Sequence, residues 1–212
     1  MRKRITAFIA VILLLCTTGC SGEKKEIKST VEAYLNAMRK GDVTEAITYL
    51  AVSDDFLILH MEENIKNVLE SADLSDDFDD RADAFITKLF SKTVQSYEIQ
   101  DIHINGNSAA VTVDIYGISP ASVAGSVSVA SSDITANAAN YMNEHSDELN
   151  QIRVEQGQDA ALKKILEAAA EMYFQDLDRI IDGASSENRI YVISLIKSGE
   201  DWKIISVEED ES

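Results

Sequence analysis

The chain has 212 residues and carries 37 Asp and Glu against 19 Lys and Arg, a formal net charge of −18. That length suits one well-buried core, and so acidic a composition argues against nucleic acid as a partner, because phosphate binding needs a basic face. Both cysteines lie in the first 20 residues, so the rest of the chain can form no internal disulfide.

The N-terminus reads as an export signal. Arg2, Lys3 and Arg4 precede an apolar run from Ile5 to Cys16, and Gly19 stands directly before Cys20. The run is too short for a transmembrane helix, which needs about 20 apolar residues. The basic flank fits the rule that positive charge stays in the cytoplasm. The order of charge, apolar stretch, small residue and cysteine resembles a bacterial lipobox. Thr17 departs from that pattern, which places an aliphatic residue three positions before the cysteine. Simple secretion with cleavage near Gly19 is the alternative. The resemblance implies removal of residues 1–19, a lipid on Cys20, and a location on the extracytoplasmic face of the cell membrane. It also implies a diacylglyceryl group, whose two chains anchor stably where one would not. Three of the basic residues leave with the signal, which has no acid, so 16 remain against 37 and the processed chain carries −21. Such a charge serves solubility and stand-off from anionic lipid; a second reading is an acidic surface for a cationic ligand. Residues 20–25 form the lipidated end and a short polar tether, 26–208 a single domain, and 209–212 an acidic tail.

Helical spacing links Ile27, Val31, Tyr34, Leu35 and Met38. Gly41 follows as a C′ residue, and Asp42 with Glu45 suggests a capping box opening a second helix. A third helix is expected over Phe56 to Glu70. A fourth follows Ser75 as its cap, with Phe78, Ala82, Phe85, Ile86, Leu89 and Phe90 on one side. Two strands come next, Tyr97 to Ile104 and Val111 to Ile115, joined by a turn at 105–107. A phase slip near Gln100 and Asp101 predicts a β-bulge. Ser119 and Pro120 form an N-cap and N1 pair. They open a long helix marked by Val123, Val127, Ala130, Ile134, Ala138, Tyr141 and Leu149, although 122–130 also permits a strand. Another helix follows, marked by Leu162, Ile165, Leu166, Ala169, Met172, Tyr173, Leu177 and Ile180 and ended by Gly183. The last two strands, NRIYVISLIKS and DWKIISVEE, turn at 198–201. Both parities of the first are apolar, so both its faces are expected to be covered.

The phrase VEAYLNAMRKGDVTEAITYL and the closing GEDWKIISVEE resemble small lipoproteins of the nuclear transport factor 2-like superfamily, which is ketosteroid-isomerase-like and cystatin-like in fold. The likeness covers residues 26–52 and 188–208 best. It implies an α+β fold: a curved antiparallel sheet of about four strands packed on N-terminal helices as a cone. Segment 119–184 then looks like a helical-hairpin insertion between the two β-hairpins. The cone implies a pocket, which Tyr34, Tyr49 and Trp202 could line; they are equally suited to core packing.

Little in the chain points to catalysis. Isomerases of the resembled fold pair a carboxylate base with a Tyr or acid donor, and Asp114 and Tyr116 share a strand face, but alternation turns that face to solvent. His60, His103 and His145 are scattered and show no zinc spacing. Asp73, Asp76, Asp77, Asp79 and Asp80 crowd together without the glycine and closing Glu of a calcium loop. Carboxylates at a helix start account for them. No metal or cofactor is therefore expected. The reading that follows is a non-catalytic, lipid-anchored protein binding a small molecule or an envelope protein. An isomerase or dehydratase with a pocket carboxylate, and an interaction module built on the helical hairpin 120–182, are the alternatives.

Overall fold

A computed structural model of the protein describes residues 22–51, 57–71 and 74–210. The expected signal segment, Cys20, Phe56 and Asp73 lie outside them. The architecture is α+β, with an open four-stranded antiparallel sheet, helices at the N-terminal side and a helical region between strands. The helices are α1 (22–40), α2 (Val43–Ile47), α3 (Leu57–Ser71), α4 (Ser75–Thr93), α5 (Pro120–Glu144), α6 (Ser146–Gln156) and α7 (Gln158–Gly183). The strands are β1 (Ser96–Asn105), β2 (Ser108–Gly117), β3 (Glu187–Ser198) and β4 (Asp201–Glu209), hydrogen-bonded in that order.

Helix α1 buries Ile27, Val31, Tyr34, Leu35 and Met38, the stripe its spacing predicts. It ends as a Schellman motif: Gly41 has φ +71°, its N–H donates to Met38 O at 2.9 Å, and Asp42 N–H donates to Ala37 O at 2.9 Å. Asp42 then caps α2, its carboxylate accepting from Glu45 N–H at 2.9 Å. The expected box is half formed, since Asp42 N–H already serves the Schellman bond. Two boundaries move. Residues 22–25, expected as tether, are helical. Leu74, not Ser75, is the N-cap of α4, and Ser75 is its first residue.

The bulge in β1 falls between Ile99 and Asp101, where the period of two slips, and Gly106 turns the hairpin with φ +60°. Val111, Val113 and Ile115 of β2 face the core with Tyr191, Ile193 and Leu195 of β3 and Trp202 and Ile204 of β4. The free edge of β4 is closed by the chain after α2: Ala51 N–H donates to Ile204 O at 2.8 Å, and Ile204 N–H donates to Tyr49 O at 2.9 Å. The edge of β1 carries the bulge and the exposed Glu98 and Asp101, devices that discourage further strand pairing.

The segment between the hairpins is helical throughout, which settles the ambiguity at 122–130. Ser119 caps α5, its hydroxyl accepting from Ser122 N–H at 3.4 Å, with Pro at the first turn. The expected single helix through Leu149 is interrupted at His145 (φ −112°, ψ 24°), whose ring stacks on Tyr141 at 4.3 Å. The buried face of α7 keeps Ala169, Tyr173 and Leu177 of its predicted stripe but turns partly away from the rest. Ala161, Phe174, Leu177 and Ile181 are buried, whereas Leu162 is 52 % exposed. Contact with α4 causes this. Phe174 stacks on Phe78 at 5.8 Å and lies under Arg81, while Lys88 pairs with Asp178 and Asp182 at 2.9 Å each.

The helical pair α5–α7 thus packs on α4 and touches α3. It does not lie over the second face of the sheet. On that face Ile190 and Ile196 are 47 % and 40 % exposed, so the expectation that both faces of β3 are covered fails. Of the acidic tail expected at 209–212, Glu209 is instead the last residue of β4 and Asp210 N–H donates to Ile190 O at 2.8 Å.

Candidate functional site

A cavity of about 210 Å³ opens between the inner face of the sheet and the helices. Its floor comes from one face of α1, with Tyr34, Leu35 and Met38, closed laterally by Ala46, Ile47 and Leu50. Phe90 of α4, Val94 just after it and Ile115 of β2 supply another wall, and Ser119 to Ala121 around the start of α5 form the rim. The wall is overwhelmingly apolar. For scale, an apolar cavity of roughly 150 Å³ already accepts benzene.

Few polar groups converge there. Thr93 is buried, and its hydroxyl donates back to Leu89 O at 2.9 Å. Tyr34 is 5 % exposed and lines the cavity. Burial drives its phenol well above its ordinary ionisation range, so it stays a neutral donor. At the mouth, the Tyr191 hydroxyl lies 3.5 Å from a Glu209 oxygen. The other Glu209 oxygen is 3.3 Å from Arg189 Nε. Arg189 in turn donates to Gly117 O at 3.2 Å and pairs with Glu187. Burial, and secondarily the Glu209 charge, raise the ionisation of Tyr191.

Of the three aromatics proposed to line a pocket, only Tyr34 does so. Tyr49 is half-buried beside α2, its hydroxyl 3.4 Å from Glu45. Trp202 is buried at the opposite end of the sheet, under the Lys197 ammonium at 5.6 Å from the ring centroid. Its indole N–H has no partner among the described residues. The sequence reading missed Tyr191, Glu209 and Arg189. Tyr191 was legible as an apolar-parity residue of β3, but assigning Glu209 to a tail hid the pair it makes.

No family model, curated protein or solved structure matches this chain.

The remaining sequence candidates stay apart from the cavity. Asp114 and Tyr116 lie on the outer face of the sheet, with Tyr116 40 % exposed. His60 and His103 are exposed on α3 and β1, and His145 pairs with Glu148 at 3.2 Å. Among the described residues, no group of His, Cys, Asp or Glu is arranged to hold a metal ion, and no helix is long and apolar enough to cross a membrane.

Proposed function

We propose that this is an extracytoplasmic protein, anchored to the cell membrane by a lipid on Cys20, that binds a small apolar molecule without transforming it. The cavity under the sheet carries this reading. It is concave, apolar and sparsely polar, the usual character of a small-molecule site. Its size suits a ligand of one or two rings or a short alkyl chain. The carboxylate at its mouth, Glu209, is engaged by Arg189 and Tyr191, and Asp114 faces away from it. Both facts favour binding over the isomerase or dehydratase alternative, which would need a free carboxylate inside the apolar wall. The order of charge, apolar run, small residue and cysteine at the N-terminus, with the resemblance to nuclear transport factor 2-like lipoproteins, supports the proposed location.

Two experiments test the two halves. Cys20→Ser should move the protein from the membrane fraction to the soluble extracytoplasmic fraction; a wild type already soluble after export removes the anchor. For the cavity, 4-fluorotoluene titrated into the protein should give a saturable ¹⁹F shift. Ala121→Trp, a substitution at the exposed rim, should abolish it while the circular dichroism spectrum is unchanged. An unsaturable shift, or one indifferent to Ala121→Trp, rejects the cavity as a binding site.

A further inference from the structure

The outer face of the sheet combines two features that are costly for an isolated protein. The first is apolar exposure. Ile190 and Ile196 of β3 are 47 % and 40 % exposed, with Val192 half-buried between them. Ile205, the extra residue where the β3–β4 register shifts, is 46 % exposed, and Tyr116 is 40 % exposed one pair beyond Ile190 on β2. Singly such residues need no explanation, but exposed apolar side chains gathered on one sheet face mark an interaction surface; here Ser194 separates Val192 from Ile196.

The second feature is charge. The register sets Glu98 of β1 directly opposite Asp114 of β2, and Asp114 directly opposite Ile190. Like charges facing each other across antiparallel strands repel. Glu208 flanks the stripe from the other side, opposite Val192. Lys203, the lysine on this face opposite Ile196, is turned to the Thr48 carbonyl, to which it donates at 2.7 Å. The Ile190–Val192 end of the apolar set therefore lies between carboxylates on both sides, one side being a carboxylate pair that a cation would relieve.

We propose that this face docks a cationic amphipathic segment of another protein. Its apolar side chains lie on Ile190, Val192 and Ile196, and its lysines or arginines meet Glu98, Asp114 and Glu208. A second copy of this chain is the poorer occupant, because it would bring the same carboxylates face to face. Anionic lipid and nucleic acid are repelled for the same reason. The proposal is independent of the cavity, which opens on the opposite face of the sheet.

The test uses the whole protein and a fluorescein-labelled Leu/Lys amphipathic helix of about four turns, followed by anisotropy. Binding should be saturable and should weaken as salt rises. Ile190→Ser, which leaves the charge unchanged, and Asp114→Lys should each weaken it about tenfold, a change of about 1.4 kcal/mol. Asp159→Lys makes the same charge change at an exposed site on α7 and should leave binding near wild type. Three results overturn the proposal. One is Ile190→Ser binding like wild type. Another is Asp159→Lys weakening binding as much as Asp114→Lys, which reduces the attraction to net charge. The third is a wild-type dimer in sedimentation that Ile190→Ser converts to monomer, which assigns the face to a second copy.

Discussion

Lys197 on β3 reaches to within 2.6 Å of the Glu23 carboxylate in the first turn of α1. The same ammonium sits over the Trp202 ring, so the start of α1 is fixed to the end of the sheet that carries both hairpin turns. Cys20 lies two residues before Gly22 and can extend only about 7 Å from it. The cavity is built on Tyr34, Leu35 and Met38 in the second half of α1. A helix over 22–40 is about 28 Å long, so the cavity lies well along α1 from the end that Lys197 fixes.

The Glu23–Lys197 contact predicts a local effect. Both side chains are partly solvated, and such pairs contribute little to global stability. Lys197→Glu should therefore leave Tm almost unchanged while speeding amide exchange in the first turn of α1. The double exchange Glu23→Lys with Lys197→Glu should restore protection. Equal exchange in all three proteins would show that the buried Ile27 alone holds this turn.

Two glycines make an opposite-signed pair. At Gly117, a Cβ would lie 1.9 Å from Thr93 O, because the end of β2 crosses the end of α4 at backbone contact. Gly125 in α5 has open space around it. Gly117→Ala forces main chains apart, and overpacking of this kind costs about 1–3 kcal/mol or more. At this chain length that lowers Tm by about 3–10 °C. Gly125→Ala removes only the entropic cost of glycine in a helix and should stabilise by about 0.5–1 kcal/mol. Thermal melts of the two variants check both signs, and a neutral Gly117→Ala would contradict the close crossing.

Local signals in the sequence carried well. The Gly41–Asp42 stop and start, the slip at Gln100–Asp101 and the Ser119–Pro120 cap each depend on a few adjacent residues, and each stands where its chemistry puts it. Some local signals missed by a little, such as the Ser75 cap, but the larger departures depend on partners distant in the chain. Which side of α7 is buried is set by Phe78, Arg81 and Lys88 on α4, not by its own spacing. The alternation of β3 is apolar on both parities, yet nothing in it reveals that the helical pair packs on α4 and leaves Ile190 and Ile196 in the open. The site followed the same rule. Tyr34 was legible as a member of the α1 stripe. Trp202 and Tyr49 are also aromatic, but Trp202 lies at the hairpin end of the sheet and Tyr49 in the turn after α2, positions that spacing along the chain does not fix.

Tyr34 predicts how the protein responds to alkali. A buried phenol is penalised when charged, so its folded ionisation lies above the unfolded value of about 10. Above that pH the unfolded chain loses the proton while the folded chain retains it. Unfolding is then linked to proton release, and stability falls as pH rises. Below it both states hold the proton, and Tyr34 contributes no pH dependence. Tyr49, Tyr97 and Tyr191 shift in the same direction, each chiefly through desolvation. Denaturant midpoints measured across the alkaline range should therefore decline, and the decline should be shallower in Tyr34→Phe. In ultraviolet titration of the native protein the Tyr34 phenolate should appear only together with loss of helical circular dichroism. A Tyr34 signal that titrates reversibly near its ordinary value, with the fold intact, would mean that the hydroxyl is hydrated. In that case the cavity floor is wet, and the apolar ligand class proposed for it would have to give way to a polar one.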